Sequence, residues 1–166
     1  MDAQDLTAKI LESSGASSLA ETQEVSTVKL IFFRVGDSLY ALPAESVQEI
    51  MLDLTIHYLP FLPPFVRGLV NRLGEPITVV DLHYLIHRSS LNGKTFLILK
   101  PHISKTAFLI DGVQDIRVVA ETEISRLVTT PESGNFGLGI VRYGDADVLV
   151  LNVEAVIETV KGAVRA

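Results

Sequence analysis

Phe65-Val66-Arg67-Gly68-Leu69-Val70-Asn71-Arg72-Leu73-Gly74-Glu75-Pro76-Ile77-Thr78-Val79-Val80-Asp81-Leu82 reads as two short strands joined by a turn. Val66, Leu69 and Val70 precede Gly74, and Ile77, Val79 and Val80 follow it. Gly74-Glu75-Pro76 is the expected turn, because glycine supplies a positive φ and proline at a strand edge sacrifices no inner ladder bond. Asp81 then stands where an N-cap residue meets an apolar helical pattern. Leu82, Leu85 and Ile86, at i, i+3 and i+4, predict a short helix after it.

Upstream, Val28 to Val35 is nearly continuous in apolar residues, which predicts a strand buried on both faces. Gly36-Asp37 marks a two-residue hairpin turn, and Leu39 to Leu42 returns from it. Ala44 to Met51 fits either a helical turn or a bent strand. Leu59-Pro60-Phe61-Leu62-Pro63-Pro64 is a stiff, irregular connection, because its prolines forbid regular structure. Residues 1–26 are rich in Ser, Ala, Thr and Glu and read as a flexible leader, either solvated or a docking tail.

Downstream, Asn92-Gly93 marks the entry to a second half. Lys94–Leu99 and Thr106–Ile110 follow as strands, and Val113–Val119 alternates poorly but is apolar at 113, 116, 118 and 119. Residues 120–134 are polar and include Pro131-Glu132-Ser133-Gly134, so a surface loop is expected there. Phe136–Tyr143 and Val148–Leu151 flank a Gly144-Asp145-Ala146-Asp147 turn. Val153, Val156, Ile157 and Val160 then show helical spacing, with Asn152 as N-cap and Gly162 as the residue after the helix.

About ten short strands with turn residues between them predict an all-β protein, a barrel or sandwich. The segments 28–90 and 94–151 share a rhythm, and each alone is small for an independent core. Two small packed barrels are therefore expected, with a short helix between them and a C-terminal helix over about 152–161. With 48% apolar residues in 166, the chain has enough to bury such a core.

Several function classes are excluded or weakened. A net charge of −6 with no basic run argues against nucleic acid. The absence of cysteine removes disulfides, thiolate metal sites and a Cys nucleophile. Charges interrupt every apolar run before it could span a bilayer, and the acidic Met1–Asp5 start is unlike an export signal, so a cytoplasmic protein without membrane insertion is expected. No serine sits in a nucleophile-elbow setting. Gly93-Lys94-Thr95 resembles the end of a phosphate loop, but Arg88 occupies the position of its first glycine. His83 and His87 have ligand spacing, yet without a nearby carboxylate motif they read as a solvated helix face. Asp111 and Asp115 fit turn roles better than an acid–base pair. The sequence thus points to no catalytic residues, no metal and no cofactor, and to a protein that binds through apolar patches and strand edges.

The residues also carry a family resemblance. Phe33-Arg34-Val35-Gly36-Asp37 leading to Tyr40-Ala41-Leu42-Pro43 resembles the opening of CheW-like domains, the coupling proteins of bacterial chemosensory arrays. Val47-Gln48-Glu49-Ile50, Leu59-Pro60 and Pro64 to Asn71 continue the likeness, as do Val79-Val80-Asp81-Leu82 and Asp111 to Ile116. Gly137-Leu138-Gly139 and Leu149 to Glu154 complete it over about 28–160. The resemblance implies a single CheW-like domain over 27–166, built from two five-stranded SH3-like barrels at about 28–90 and 94–151. It implies a non-catalytic adaptor coupling chemoreceptor cytoplasmic tips to the regulatory domain of a CheA-type histidine kinase. The alternative is a divergent CheW-like binding module in another signalling assembly that engages only one of these partners. By position, the family's partner-facing residues are Val47, Glu49, Ile50, Val66, Gly68, Asn71 and Arg72, with Gly112 and Val113 from the second barrel. Val47, Ile50 and Val66 could equally be core, and Gly68 and Gly112 could serve only their turns.

One tract departs from the family. Asn71-Arg72-Leu73-Gly74 stands where the family usually has Asn-Leu-Arg-Gly, and Pro76 lies two residues before the usual proline position, Thr78. In a continuous strand this exchange would carry the guanidinium to the opposite face. Either a bulge re-aims Arg72 or the partner surface has diverged. The second account implies a small effect of Arg72→Ala on partner binding and a large one of Glu49→Arg.

Overall fold

The computed structural model describes residues 24–90, 92–127 and 136–165. In chain order the strands are β1 (Thr27–Val35), β2 (Ser38–Pro43), β3 (Val47–Leu52), β4 (Val66–Arg72) and β5 (Glu75–Asp81). Helix α1 (Leu82–His87) follows, then β6 (Thr95–Leu99), β7 (Thr106–Ile110), β8 (Gly112–Ala120) and the short β9 (Ser125–Arg126). β10 (Gly137–Tyr143), β11 (Ala146–Leu151) and helix α2 (Val153–Arg165) complete the described chain. Ala44–Ser46 is a single 3₁₀ turn, so the ambiguous segment after Pro43 divides into that turn and β3.

The strands form two sheets, one of six in the order β8-β1-β2-β11-β10-β9 and one of five in the order β3-β6-β7-β5-β4. This corrects the expected division at residues 90–94. β1 and β2 belong with the C-terminal strands, and the five-stranded sheet is built wholly from the middle of the chain. The reason lies in pairing: β1 bonds to β2 on one side and to β8 on the other, from Thr27 opposite Ala120 to Arg34 opposite Gly112. The hairpin rhythm reports only the local partner.

Three apolar clusters explain why several strands are buried on both faces. One lies against the five-stranded sheet and includes Val70, Ile77, Val79, Phe96, Ile98 and Leu109. A second lies against the six-stranded sheet, with Leu30, Phe32, Val141, Val148 and Val150. The largest gathers Phe33 and Leu42 from one sheet, Val80, Leu97 and Phe108 from the other, and Leu85, Val156, Ile157 and Val160 from the helices. Alternate residues of β1 and β6 therefore enter different clusters, and neither strand can show the polar alternation of a half-exposed sheet.

Local signals resolve as their chemistry requires. Gly36-Asp37 closes the β1–β2 hairpin, with Val35 opposite Ser38. The β4–β5 turn is Leu73-Gly74, not Gly74-Glu75-Pro76: both residues have positive φ, 50° and 84°, and Arg72 pairs with Glu75. Pro76 lies within β5, ahead of the β5–β7 ladder that begins at Thr78, so its missing N–H takes nothing from that ladder. The turn at the β10–β11 hairpin is likewise shorter than expected, Gly144-Asp145 alone. Asn152 Oδ1 accepts from Ala155 N at 3.2 Å as an N-cap, but α2 runs through Gly162 to Arg165. The leader up to residue 23 and the Pro131–Gly134 tract lie outside the described residues.

Asp81 ties the opening stretch together. Its Oδ1 accepts from Tyr84 N at 3.0 Å, capping α1, while Oδ2 lies 3.5 Å from Arg67 Nη1. The side chain is buried, so Asp81→Ala removes the cap and leaves donors facing protein. The expected cost is about 1–2 kcal/mol, read as a lower urea midpoint with unchanged slope. An unchanged midpoint would refute the capping role.

Candidate functional site

β3 and β4 are the two edges of the five-stranded sheet, and the sheet curls until they approach each other. One backbone bridge joins β4 to the segment that follows β3, His57 N to Leu69 O at 2.7 Å and Leu69 N to His57 O at 2.9 Å. Above it the seam is crossed by side chains. Arg72 Nε on β4 donates to Glu49 Oε1 on β3, with the side chains 17% and 35% exposed respectively. Glu75, opposite Arg72 in the hairpin, also bonds Lys105 Nζ at 2.9 Å, and this lysine holds its carboxyl below the usual range.

This geometry resolves the Arg72–Leu73 exchange. Leu73 is not in a strand; it occupies the left-handed tip of the turn and is almost wholly exposed. Arg72 ends β4 on the side of buried Val70, and that face carries it to Glu49. The guanidinium is thus committed to a named carboxylate. Arg72→Ala therefore strips Glu49 of its partner within the chain.

The remaining candidates separate into two groups. Val66 is buried in the central cluster. Gly68 has φ 138°, and a Cβ there would lie 2.3 Å from the His57 carbonyl oxygen, so its glycine is demanded by the bridge. Asn71 Oδ1 accepts from Gly74 N at 2.8 Å and supports the turn. Val47 and Val113 are half-buried against the central cluster. By contrast, Ile50 points away from Glu49 on the outer side of β3, beside Leu52, and both are exposed. Gly112 is half-buried in β8, and a Cβ there would meet nothing within 4 Å, so packing does not require its glycine. Ile50 and Gly112 are therefore the candidates that structure alone does not use up, while Glu49 and Arg72 are bonded to each other and remain partly exposed.

Some surface features had little signal in the sequence. Tyr58 and Phe61 stand exposed on the proline-bounded connection, Phe61 at φ 62°. Leu52 adds to the exposed apolar ground beside Ile50, and Leu73 stands exposed on the turn next to Arg72. Period-two alternation along β3 would have marked Leu52, had the segment been assigned as a strand.

The six-stranded sheet has a comparable seam. Tyr143 on β10 donates its hydroxyl to Asp115 Oδ2 on β8 at 3.2 Å, and the Arg117 guanidinium lies 4.4 Å over the Tyr143 ring. Arg117 Nε bonds Asp115 Oδ2 at 2.6 Å, and this bond, with the Ile116 N–H, holds the Asp115 carboxyl below its ordinary value of 3.8. A depressed carboxylate stabilises the fold above its unfolded value, and that contribution is lost as pH falls through the folded one. The stability difference between the parent and Asp115→Asn should therefore be present at neutral pH and shrink on acidification below 3.8. A difference constant with pH, measured by urea unfolding, would contradict this.

Two curled sheets joined by a shared core, a C-terminal helix and polar side chains across each seam define a compact β domain whose free candidates form surface rather than cavity. The CheW-like domain profile matches residues 29–161, and the chain belongs to that family. Chemotaxis protein CheW of Treponema pallidum is 25% identical over 134 residues, covering 75% of this chain and 79% of that protein. Chemotaxis protein CheW of Helicobacter pylori is 26% identical over 158 residues, covering 93% and 94%. The crystal structure of the scaffolding protein TtCheW from Thermoanaerobacter tengcongensis superposes with a TM-score of 0.68 at 23% identity, covering 76% of this chain and 90% of that one, which supports the fold. No helix among the described residues is long and apolar enough to cross a membrane.

Proposed function

We propose that the chain is a cytoplasmic, non-catalytic adaptor that couples chemoreceptor cytoplasmic tips to the regulatory domain of a CheA-type histidine kinase. The observation that carries this reading is the family match over 29–161, which spans both sheets and α2. Residues 27–166 act as one unit, because the largest apolar cluster draws on both sheets and both helices. Each sheet, curled on its own small core, corresponds to an SH3-like barrel. The surface offered to partners is the ground around Glu49, Arg72 and Ile50, with Gly112 on the other sheet. Affinity there comes from exposed apolar residues beside a fixed charge pair.

A second reading is favoured by Leu73, which puts an exposed leucine on the turn where the family usually carries arginine. It makes this a divergent module that keeps one partner and has lost the other. Separate pull-downs with a receptor-tip fragment and with the kinase regulatory domain decide between them. Retention of both supports the coupling adaptor, retention of one supports the divergent module, and retention of neither overturns both readings.

A further inference from the structure

The two histidines of α1 have more than ligand spacing. Their ring centroids lie 4.9 Å apart, with planes inclined by 45°. Each ring also has one nitrogen engaged by the protein. His83 Nδ1 meets the carbonyl oxygen of Ser89, which can only accept, so Nδ1 carries the proton and the Nε2 lone pair is free. His87 Nε2 lies 3.3 Å from the Tyr40 hydroxyl on β2, and in the tautomer that donates to that oxygen the Nδ1 lone pair is free. His83 is half-buried and His87 exposed, so both are open to a solute.

We propose that His83 Nε2 and His87 Nδ1 form a two-imidazole chelate for a divalent transition ion of the zinc, nickel or copper class, with Ser89 and Tyr40 as orienting residues. An imidazole bound at about 2.0–2.1 Å puts its ring centre about 3.2 Å from the metal. Two rings 4.9 Å apart then subtend about 100° at the ion, between square-planar and tetrahedral angles. Neutral nitrogen donors select these ions over magnesium and calcium, which require oxygen. A hydrogen bond on the non-ligating nitrogen is the usual device for fixing the tautomer and orientation of a metal-binding histidine. Among the described residues no third His, Asp or Glu joins the pair, so water completes the coordination and the ion is exchangeable. Tyr40 belongs to the six-stranded sheet and α1 directly follows the last residue of β5 in the other, so an ion here stiffens the junction between them.

Calorimetric titration of zinc chloride into the untagged full chain tests the site, with magnesium chloride as the control. One saturable zinc site and no magnesium binding are expected. His83→Ala and His87→Ala should each weaken zinc binding about tenfold or more, since one imidazole alone loses the chelate's effective concentration. His57→Ala should leave it unchanged, and Tyr40→Phe should weaken it up to about tenfold. Metal-free melting curves confirm that each variant is folded, and His83→Gln and His87→Gln replace any alanine variant that is not. Absence of saturable zinc binding overturns the proposal, as does binding indifferent to both α1 substitutions or equal binding of magnesium. Unchanged binding in Tyr40→Phe overturns the orienting role given to Tyr40.

Discussion

Gly68→Ala is expected to cost about 3–5 kcal/mol of stability, far more than one methyl group suggests. The added Cβ would lie 2.3 Å from the His57 carbonyl oxygen and 3.0 Å from its carbon, both backbone atoms that cannot swing aside. The φ of 138° is moreover one that alanine adopts only under strain. To relieve the overlap, β4 must move away from residues 56–57 and break the two hydrogen bonds between His57 and Leu69. Backbone strain contributes about 1–3 kcal/mol, and moving β4 away exchanges the overlap for the two lost backbone bonds, about 1 kcal/mol each. For a chain of this size the midpoint of thermal unfolding should fall by about 10 °C. A loss below about 1 kcal/mol would mean that the two segments do not approach as closely as described. Where the variant is still folded, its binding per folded molecule should match the parent, because Gly68 holds the seam and offers no side chain to a partner.

Glu49→Arg is expected to reduce partner binding at least tenfold and to destabilise the chain by about 1–3 kcal/mol, between the values for exposed and buried pairs. It sets a second guanidinium against Arg72, whose side chain is only 17% exposed. The reversed pair, Glu49→Arg with Arg72→Glu, separates the two effects. It restores opposite charges across β3 and β4 and should recover stability to within about 0.5 kcal/mol. If Glu49 and Arg72 face the partner, binding stays weak in the reversed pair, because the charges now stand in the wrong order. Recovery of binding together with stability would make the pair a seam closure alone and move the partner surface elsewhere.

What the sequence made legible was local. Gly36-Asp37, the Asp81 cap and the Val153–Val160 stripe each involve residues within a turn or two of one another, and each formed as its chemistry requires. Pro76 misled because proline is usually read as a turn or a strand end, and whether its missing donor matters depends on which strand lies beside it. That neighbour is β7, whose ladder begins two residues later. The pairing of β1 with β8 was illegible for a related reason. Continuous apolar character shows that both faces of β1 are buried, but says nothing about which strand takes its free edge. Glu49 and Arg72 were both candidates, yet their contact could not be inferred. It depends on the curl of a sheet whose two edges are 23 residues apart in the chain.

The order of the strands also governs how the molecule can be made. The five-stranded sheet occupies an unbroken stretch from Val47 to Ile110, so all its hydrogen-bonding partners emerge from the ribosome before β8 does. β1 and β2 precede that stretch, but one edge of that hairpin waits for β8 and the other for β11. Until β8 has emerged this hairpin is an apolar ribbon with two unpaired edges, and until β11 has emerged one edge stays open; over that interval the nascent protein is most exposed to mispairing and to chaperone capture.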